Sequence, residues 1–210
     1  MYTVKEIFYT IQGEGLNAGR PAVFCRFAGC NLWSGREQDR SSAQCTFCDT
    51  DFVGTDGLNG GKYERDGALP YAIAELWPHS ETANRLVVLT GGEPLLQVDE
   101  PLINALHALG FECAVETNGT VDAPPGLDWI TVSPKGRTKL SLLHAHELKL
   151  VFPQTQAMPD RFEAFAADHY LLQPMDGADR EQNTRQAIEY CMSHPKWRLS
   201  LQTHKYLGIP

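Results

Sequence analysis

Short runs of β-branched and aromatic residues recur along the chain, and most of them stop at a motif rich in glycine or polar side chains. That pattern restricts the chain to folds in which strand ends share a rim. Residues 2–11 lead into Gln12-Gly13-Glu14-Gly15. Residues 22–28 carry Arg26 and stop short of Cys30. Residues 85–89 end at Thr90-Gly91-Gly92-Glu93-Pro94, residues 111–116 end at Glu116 before Thr117-Asn118-Gly119, and residues 129–133 end at Ser133 before Pro134-Lys135. Further strands are predicted at 148–152, 170–173 (ending in Gln173) and 198–202, with helices at 70–77, 101–109, near 161–167 and at 180–193. A first-turn proline at Pro70 and a stop at Gly110 agree with two of these helices.

Strands alternating with helices imply a mainly parallel sheet with right-handed crossovers. About six core strands and only three or so good helices fall short of a complete eight-unit barrel. The predicted fold is therefore α/β: a partial, open (β/α) barrel of about six parallel strands with a reduced set of helices, in one domain spanning 1–210. Residues 54–67, with five glycines, read as an irregular surface segment.

With 42% apolar and 21% charged residues the composition is that of a globular protein, and its longest aliphatic run, at 86–89, is far shorter than the roughly 20 residues of a membrane span. The first residues, MYTVKEIFYTIQ, lack the basic-then-apolar pattern of an export signal, so the cytoplasm is expected. A formal charge of −8 argues against nucleic-acid binding and for a small-molecule ligand.

Three of the six cysteines, Cys30, Cys45 and Cys48, are spaced Cys-x14-Cys-x2-Cys. In a reducing compartment such a group points to metal or cluster chemistry rather than disulfides. Two chemistries remain open on spacing alone: a zinc site completed by a histidine or aspartate, or an iron–sulfur cluster whose fourth iron stays free. Cys25, Cys113 and Cys191 fall in apolar strands or on an apolar helix face and read as small core residues. The charged residues of 34–40 read as a solvated loop, and His144 and His146 as surface histidines. Arg26, in an apolar strand, is either a buried ion-pair member, with Glu14 as a candidate partner, or a recognition group.

The cysteine triad at one strand end, joined to Gly91-Gly92-Glu93-Pro94 at the next, resembles the radical S-adenosylmethionine (SAM) superfamily. The stretched x14 spacing departs from the Cys-x3-Cys-x2-Cys of most members and narrows the resemblance. Together with Gln12-Gly13-Glu14-Gly15, the Cys-Asp-Thr of 48–50, the Glu-Thr-Asn-Gly-Thr of 116–120, Ser-Pro-Lys at 133–135, Gln-Pro-Met-Asp at 173–176 and Gln-Thr-His-Lys at 202–205, it is similar to the 7-carboxy-7-deazaguanine synthase family. The resemblance implies a lyase that contracts 6-carboxy-5,6,7,8-tetrahydropterin with loss of ammonia, using a [4Fe-4S] cluster on Cys30, Cys45 and Cys48, SAM and Mg2+. It further implies a homodimer served by an electron donor such as flavodoxin.

The same resemblance assigns roles. Phe47, Gly91, Gly92, Glu93, Glu116, Ser133, Lys135, Gln173, Pro174, Met175 and Asp176 would hold SAM, with Gly91 and Gly92 allowing close backbone approach and Glu93 a charge-assisted contact to the methionine ammonium. Arg26 offers a planar fork to the substrate carboxylate, and Gln12, Gly13, Glu14, Thr90, His204 and Pro210 would complete the pterin site. Thr50 would give its hydroxyl to Mg2+. The alternatives are another radical SAM enzyme, such as a glycyl-radical activase, and a non-enzymatic zinc module.

Overall fold

In the computed structural model, which describes residues 1–65 and 67–210, one open sheet of nine strands runs through the protein. The strands are β1 (Tyr2–Ile11), β2 (Pro21–Phe27), β3 (Gly61–Tyr63), β4 (Arg85–Gly91), β5 (Phe111–Thr117), β6 (Trp129–Val132), β7 (His144–Phe152), β8 (Ala166–Pro174) and β9 (Trp197–Leu199). They lie in the order β3-β1-β2-β4-β5-β6-β7-β8-β9. From β2 to β9 every neighbouring pair is parallel, while β1 is antiparallel to both β2 and β3. The expectation of a partial, open α/β barrel holds, with seven parallel strands in place of about six.

Alternation along each strand sorts the side chains between two faces. Val23, Cys25 and Phe27 of β2, Val87 and Leu89 of β4, and Phe111, Cys113 and Val115 of β5 go to one face. There they meet helices α1 (Ala68–Ala74) and α2 (Glu100–Ala108) through Leu69, Ile73, Leu102, Ile103 and Leu106. Asp99 caps α2 by accepting from Leu102 N–H at 3.1 Å. Further along, Leu148, Leu150, Phe152 and Leu172 form a second core with Ala187, the buried residue of α3 (Arg180–Ser193). The opposite face carries a small apolar plug of Ala22, Leu86, Val88 and Ala114, with Phe24 and Trp129 packed against it. Two residues nearer the carboxyl ends of β2, β4 and β5, that face turns polar, at Arg26, Thr90 and Glu116.

Several element boundaries differ from the sequence expectation. The glycine-rich 54–67 segment contains β3, because its 61–63 backbone completes the edge of β1; residue 66 of that segment lies outside the described residues. The helix expected near 161–167 is a single 3-10 turn at Pro159–Phe162, and β8 already begins at Ala166, since β7 pairs with it along its whole length. The segment 203–207, read only as a tail, is a short helix, α4 (Thr203–Leu207), stopped by Gly208 at φ 67°. A bulge in β1 places Val4 opposite Phe27 and Glu6 opposite Arg26, leaving Lys5 unpaired in the ladder. Such an extra residue re-aims its side chain, and the Lys5 ammonium reaches Asp51 at 2.8 Å and Asp56 at 2.7 Å.

Leu106 and Leu89, both fully buried, stitch α2 to the sheet. Leu106→Ala is expected to cost about 2–5 kcal/mol of unfolding free energy, read as a lower urea midpoint with an unchanged slope. A cost below about 1 kcal/mol would place α2 outside the cooperative core.

Candidate functional site

A cavity of about 390 Å³ opens where the carboxyl ends of the parallel strands meet. Its size falls within the range of small-ligand sites. Each strand delivers part of its wall. Arg26 comes from β2, Thr90 and Gly91 from β4 with Gly92 just beyond, Glu116 from β5, Ser133 and Lys135 from the turn after β6, and Gln173 and Pro174 from β8 with Met175 and Asp176 following. Gln12, Gly13 and Glu14, after β1, face Phe47, Cys48 and Thr50 of the cysteine loop, and His204 and Pro210 close the far side. Of the residues expected in the site, Cys30, Cys45 and Glu93 are not among those that line it.

The cysteine loop is a built structure. Leu32 N–H donates to Cys30 Sγ at 3.4 Å, joined by Trp33 N–H, while the Phe47 and Thr50 N–H groups approach Cys45 and Cys48. Burial raises the Cys30 thiol. Cys45 donates to Cys48, which raises Cys45 and, against the effect of burial, lowers Cys48 to about 6. A donor set of three thiols ringed by N–H groups suits an iron–sulfur cluster held by three cysteines.

The 34–40 stretch, expected to be a solvated loop, is exposed or half-buried throughout. A 3-10 turn forms at Glu37–Ser42, and Arg40 donates to the carbonyls of Thr46 and Cys48, each at 3.1 Å. Among the described residues the one tight group of metal-ligating atoms is His107, Cys113 and Asp128, away from the cavity. There Asp128 Oδ2 already accepts from Cys113 N–H at 2.7 Å and lies 2.8 Å from His107 Nε2, so it straps α2 to β5.

The glycine pair lines the cavity and is also required by packing behind it. A Cβ at Gly92 would come within 2.6 Å of the Gly29 carbonyl carbon and 2.8 Å of Cys30 Cβ, and Gly91 sits at φ 134° against Phe27. The pair lets the β4 turn pack directly on the backbone that presents Cys30. Glu93 follows the pair directly. It is fully buried, and its carboxylate accepts from Thr117 Oγ1 at 2.7 Å, Asn118 N–H at 2.8 Å and Leu95 N–H at 3.0 Å. Burial raises its pKa despite those three donors. Through the Thr117 and Asn118 donors Glu93 joins β4 to β5.

On the opposite side of the cavity lies a network that sequence reasoning missed. Lys149 of β7, with only 4% of its side chain exposed, bonds Glu14 at 2.5 Å and stands 3.5 Å from Glu116. Gln12 Nε2 donates to Glu116 at 3.0 Å, its Oε1 accepts from Glu14 N–H at 3.0 Å, and Gln202 Nε2 donates to Glu14 at 2.9 Å. Glu116, expected beside SAM, therefore keeps company with Gln12 and Glu14, and much of the Gln12 amide is already engaged within the chain. Burial alone would raise Glu14, but the Lys149 ammonium and the hydrogen bonds outweigh it and hold the carboxyl at about 2. The same carboxylates raise Lys149 against its burial.

Arg26 pairs with Glu6 and not Glu14, Nε to Oε1 at 2.7 Å, which leaves four of its five N–H donors. Thr203 N–H and Oγ1 both reach Gly13 O at 2.9 Å, and a Cβ on Gly13 would strike His204, so α4 lies directly on the Gln12–Glu14 turn. Lys205 joins Asp49 at 2.5 Å to Asp176 at 2.7 Å. Lys149 carried a signal, a lysine inside the apolar run of β7; Lys205 and Lys5 carried none.

The chain is 63% identical over 209 residues to the 7-carboxy-7-deazaguanine synthase of Bordetella pertussis, covering 100% of this chain and 99% of that protein. It belongs to the 7-carboxy-7-deazaguanine synthase family. The synthase of Bradyrhizobium diazoefficiens is 64% identical over 208 residues, with 99% of both chains covered. The crystal structure of QueE from Escherichia coli superposes with a TM-score of 0.69 at 30% identity, over 95% of this chain and 93% of that one. No family model matches the chain. Similarity to 7-carboxy-7-deazaguanine synthases thus spans the cysteine loop, the sheet and α4 together.

Lys149→Met is expected to release Glu14 from its depressed state. In the native protein that carboxylate contributes stability above its unfolded pKa of about 4.3, lost as pH falls toward about 2. Urea unfolding should show a loss of about 3–5 kcal/mol at pH 7 in the variant. It should also show a shallower loss between pH 5 and 3 than in the native protein. An unchanged acid slope would mean that Glu14 is not held by Lys149.

Proposed function

We propose that this chain is a carbon–nitrogen lyase of the radical SAM type, converting 6-carboxy-5,6,7,8-tetrahydropterin to 7-carboxy-7-deazaguanine with loss of ammonia, on the route to 7-deazapurines such as preQ0 and queuosine. Family membership supports the reaction. One structural observation carries the site: Cys48 and Lys135 line the same cavity as Arg26, Gln12 and Glu116.

A [4Fe-4S] cluster held by Cys30, Cys45 and Cys48, with one iron free, would supply the one-electron cleavage of SAM. The chain's own part is to hold two carboxylate-bearing ligands side by side. Lys149, Lys5 and Lys205 are each neutralised by two carboxylates. Lys135 differs. Its ammonium donates to Ser133 O at 2.8 Å and to Ser133 Oγ at 2.5 Å, and among the described residues no carboxylate lies within ion-pair distance of it. Its burial lowers its pKa, and it lies within electrostatic reach of Cys45 and Cys48. This supports reading Lys135 as the cation that meets the SAM carboxylate on the cluster side. Arg26, with four N–H donors left, serves the pterin carboxylate. Glu116 Oε2 and the remaining lone pairs of Glu14 are acceptors for the pterin N–H edge.

Asp49 and Asp51, flanking Thr50, are tied to Lys205 and Lys5. Mg2+ would therefore take the Thr50 hydroxyl, the substrate carboxylate and water, without a protein carboxylate. A homodimer and a flavodoxin-type donor rest on the family resemblance, and a cytoplasmic location on the sequence of the first residues. No helix among the described residues is long and apolar enough to cross a membrane.

The reading is tested by incubating the anaerobically reconstituted, reduced protein with SAM and the carboxypterin and following 7-carboxy-7-deazaguanine by mass. Cys48→Ala should abolish product. Arg26→Ala should raise KM for the carboxypterin by about tenfold or more, the loss of ~1.5–3 kcal/mol expected for a hydrogen bond to a charged group, with SAM binding unchanged. Equal loss of both would place Arg26 elsewhere.

A further inference from the structure

The 31–44 segment contains one side chain aimed back at the cluster ligands. Arg40 Nη1 donates to Thr46 O, inside the Cys45–Cys48 turn, and to Cys48 O at its end, at 3.1 Å each. The other edge of its guanidinium grips Glu37, at 2.8 and 3.0 Å from Nε and 2.5 Å from Nη2. Its plane lies over the Trp33 ring at 4.0 Å. Trp33 is itself held by a bond from Nε1 to Arg36 O at 3.2 Å and by an edge-on contact with Phe52. Arg40 is thus oriented from three sides, and its charge lies within electrostatic reach of both Cys45 and Cys48.

We infer that Arg40 is a positioning residue of the cluster site, closing the Cys45–Cys48 turn and supplying a fixed positive charge that favours the reduced cluster. The inference rests on the functional reading above. Three thiolates and a 2+ cube carry a net charge of −1. The 1+ cube, formed by one electron from a low-potential one-electron donor and no proton, carries −2. A neighbouring cation stabilises the second state more than the first, and the nearby charge is among the terms that set cluster potentials. Glu37 opposes this only in part: 76% of its side chain is exposed against 27% of Arg40, so its charge is the more screened. The two roles separate chemically, because a lysine retains the charge but not the planar fork.

The test uses reconstituted full-length protein without SAM or substrate, read by an EPR-monitored redox titration and by the rate of iron release to a chelator, with circular dichroism confirming folding. Arg40→Gln is expected to shift the oxidised-to-reduced ratio at the native midpoint at least threefold toward oxidised, and to speed iron release at least threefold. Arg40→Lys should keep that ratio within twofold of native while releasing iron faster. If Arg40→Lys moves the midpoint as far as Arg40→Gln, the charge role is overturned. Unchanged iron release in both variants overturns the clamp. A native protein that takes up zinc without sulfide would instead overturn the functional reading, and this inference with it.

Discussion

A single ammonium removed from water, that of Lys149, organises the substrate side of the cavity. Isolated in the interior, such a charge would be prohibitive, so it survives only with anions in place. Glu14 arrives from the turn after β1 and Glu116 from β5, and each then recruits further partners: Gln12 for Glu116, Gln202 for Glu14. The Gln12–Glu14 turn, so fixed, offers Gly13 O to Thr203 and a bare Cα surface to His204. One buried charge therefore determines where the first turn and α4 settle. Glu147, two residues before Lys149, reinforces the arrangement by accepting from Leu16 N–H and from Trp129 Nε1.

The same logic distributes charge around the whole rim. Lysines placed by secondary structure, Lys5 by the β1 bulge and Lys205 by α4, each bridge two carboxylates on the cysteine loop or its neighbours. What remains uncommitted is selective: Lys135 on the cysteine side and most of the Arg26 fork on the other. In a chain with a formal charge of −8, the Lys135 ammonium, with no carboxylate partner among the described residues, and the N–H donors that Arg26 keeps beyond its Glu6 pair mark where anionic ligand groups are welcome.

Sequence reasoning reached the strand ends because they are local: a run of apolar residues followed by a polar motif is visible within ten positions. That is why Thr90, Glu116, Ser133, Gln173 and the cysteines were found, and why α3 appears over the residues expected. Pairings between distant residues were hidden. Glu14 and Lys149 are separated by 135 positions, and Lys205 and Asp49 by 156, so neither pair leaves a periodic trace. The 161–167 segment failed for a related reason, since its helical look was overridden by the ladder that β7 offers to Ala166 and beyond. Glu93 is legible in the sequence as part of a motif, but its place in the wall is not. Its motif shows that a carboxylate is needed, and only burial and the Thr117 and Asn118 donors show where it is held.

The two halves of the cysteine site are held by different neighbours, and this bears on how the cavity is assembled. Cys30 rides on the backbone that packs against Gly91 and Gly92, so its position is set by β2 and β4 and, through Glu93, by β5. Cys45 and Cys48 lie on a loop held by Arg40 from within and by Lys205 and Lys5, through Asp49 and Asp51, from α4 and β1. The first attachment is close backbone packing, insensitive to salt. The second consists of ion pairs whose Asp49 and Asp51 side chains are half or more exposed, the class that salt and acid weaken first. Raising ionic strength should therefore loosen Cys45 and Cys48 while leaving Cys30 in register, so that loss of the cysteine centre begins at the Cys-x2-Cys turn and not at the strand end.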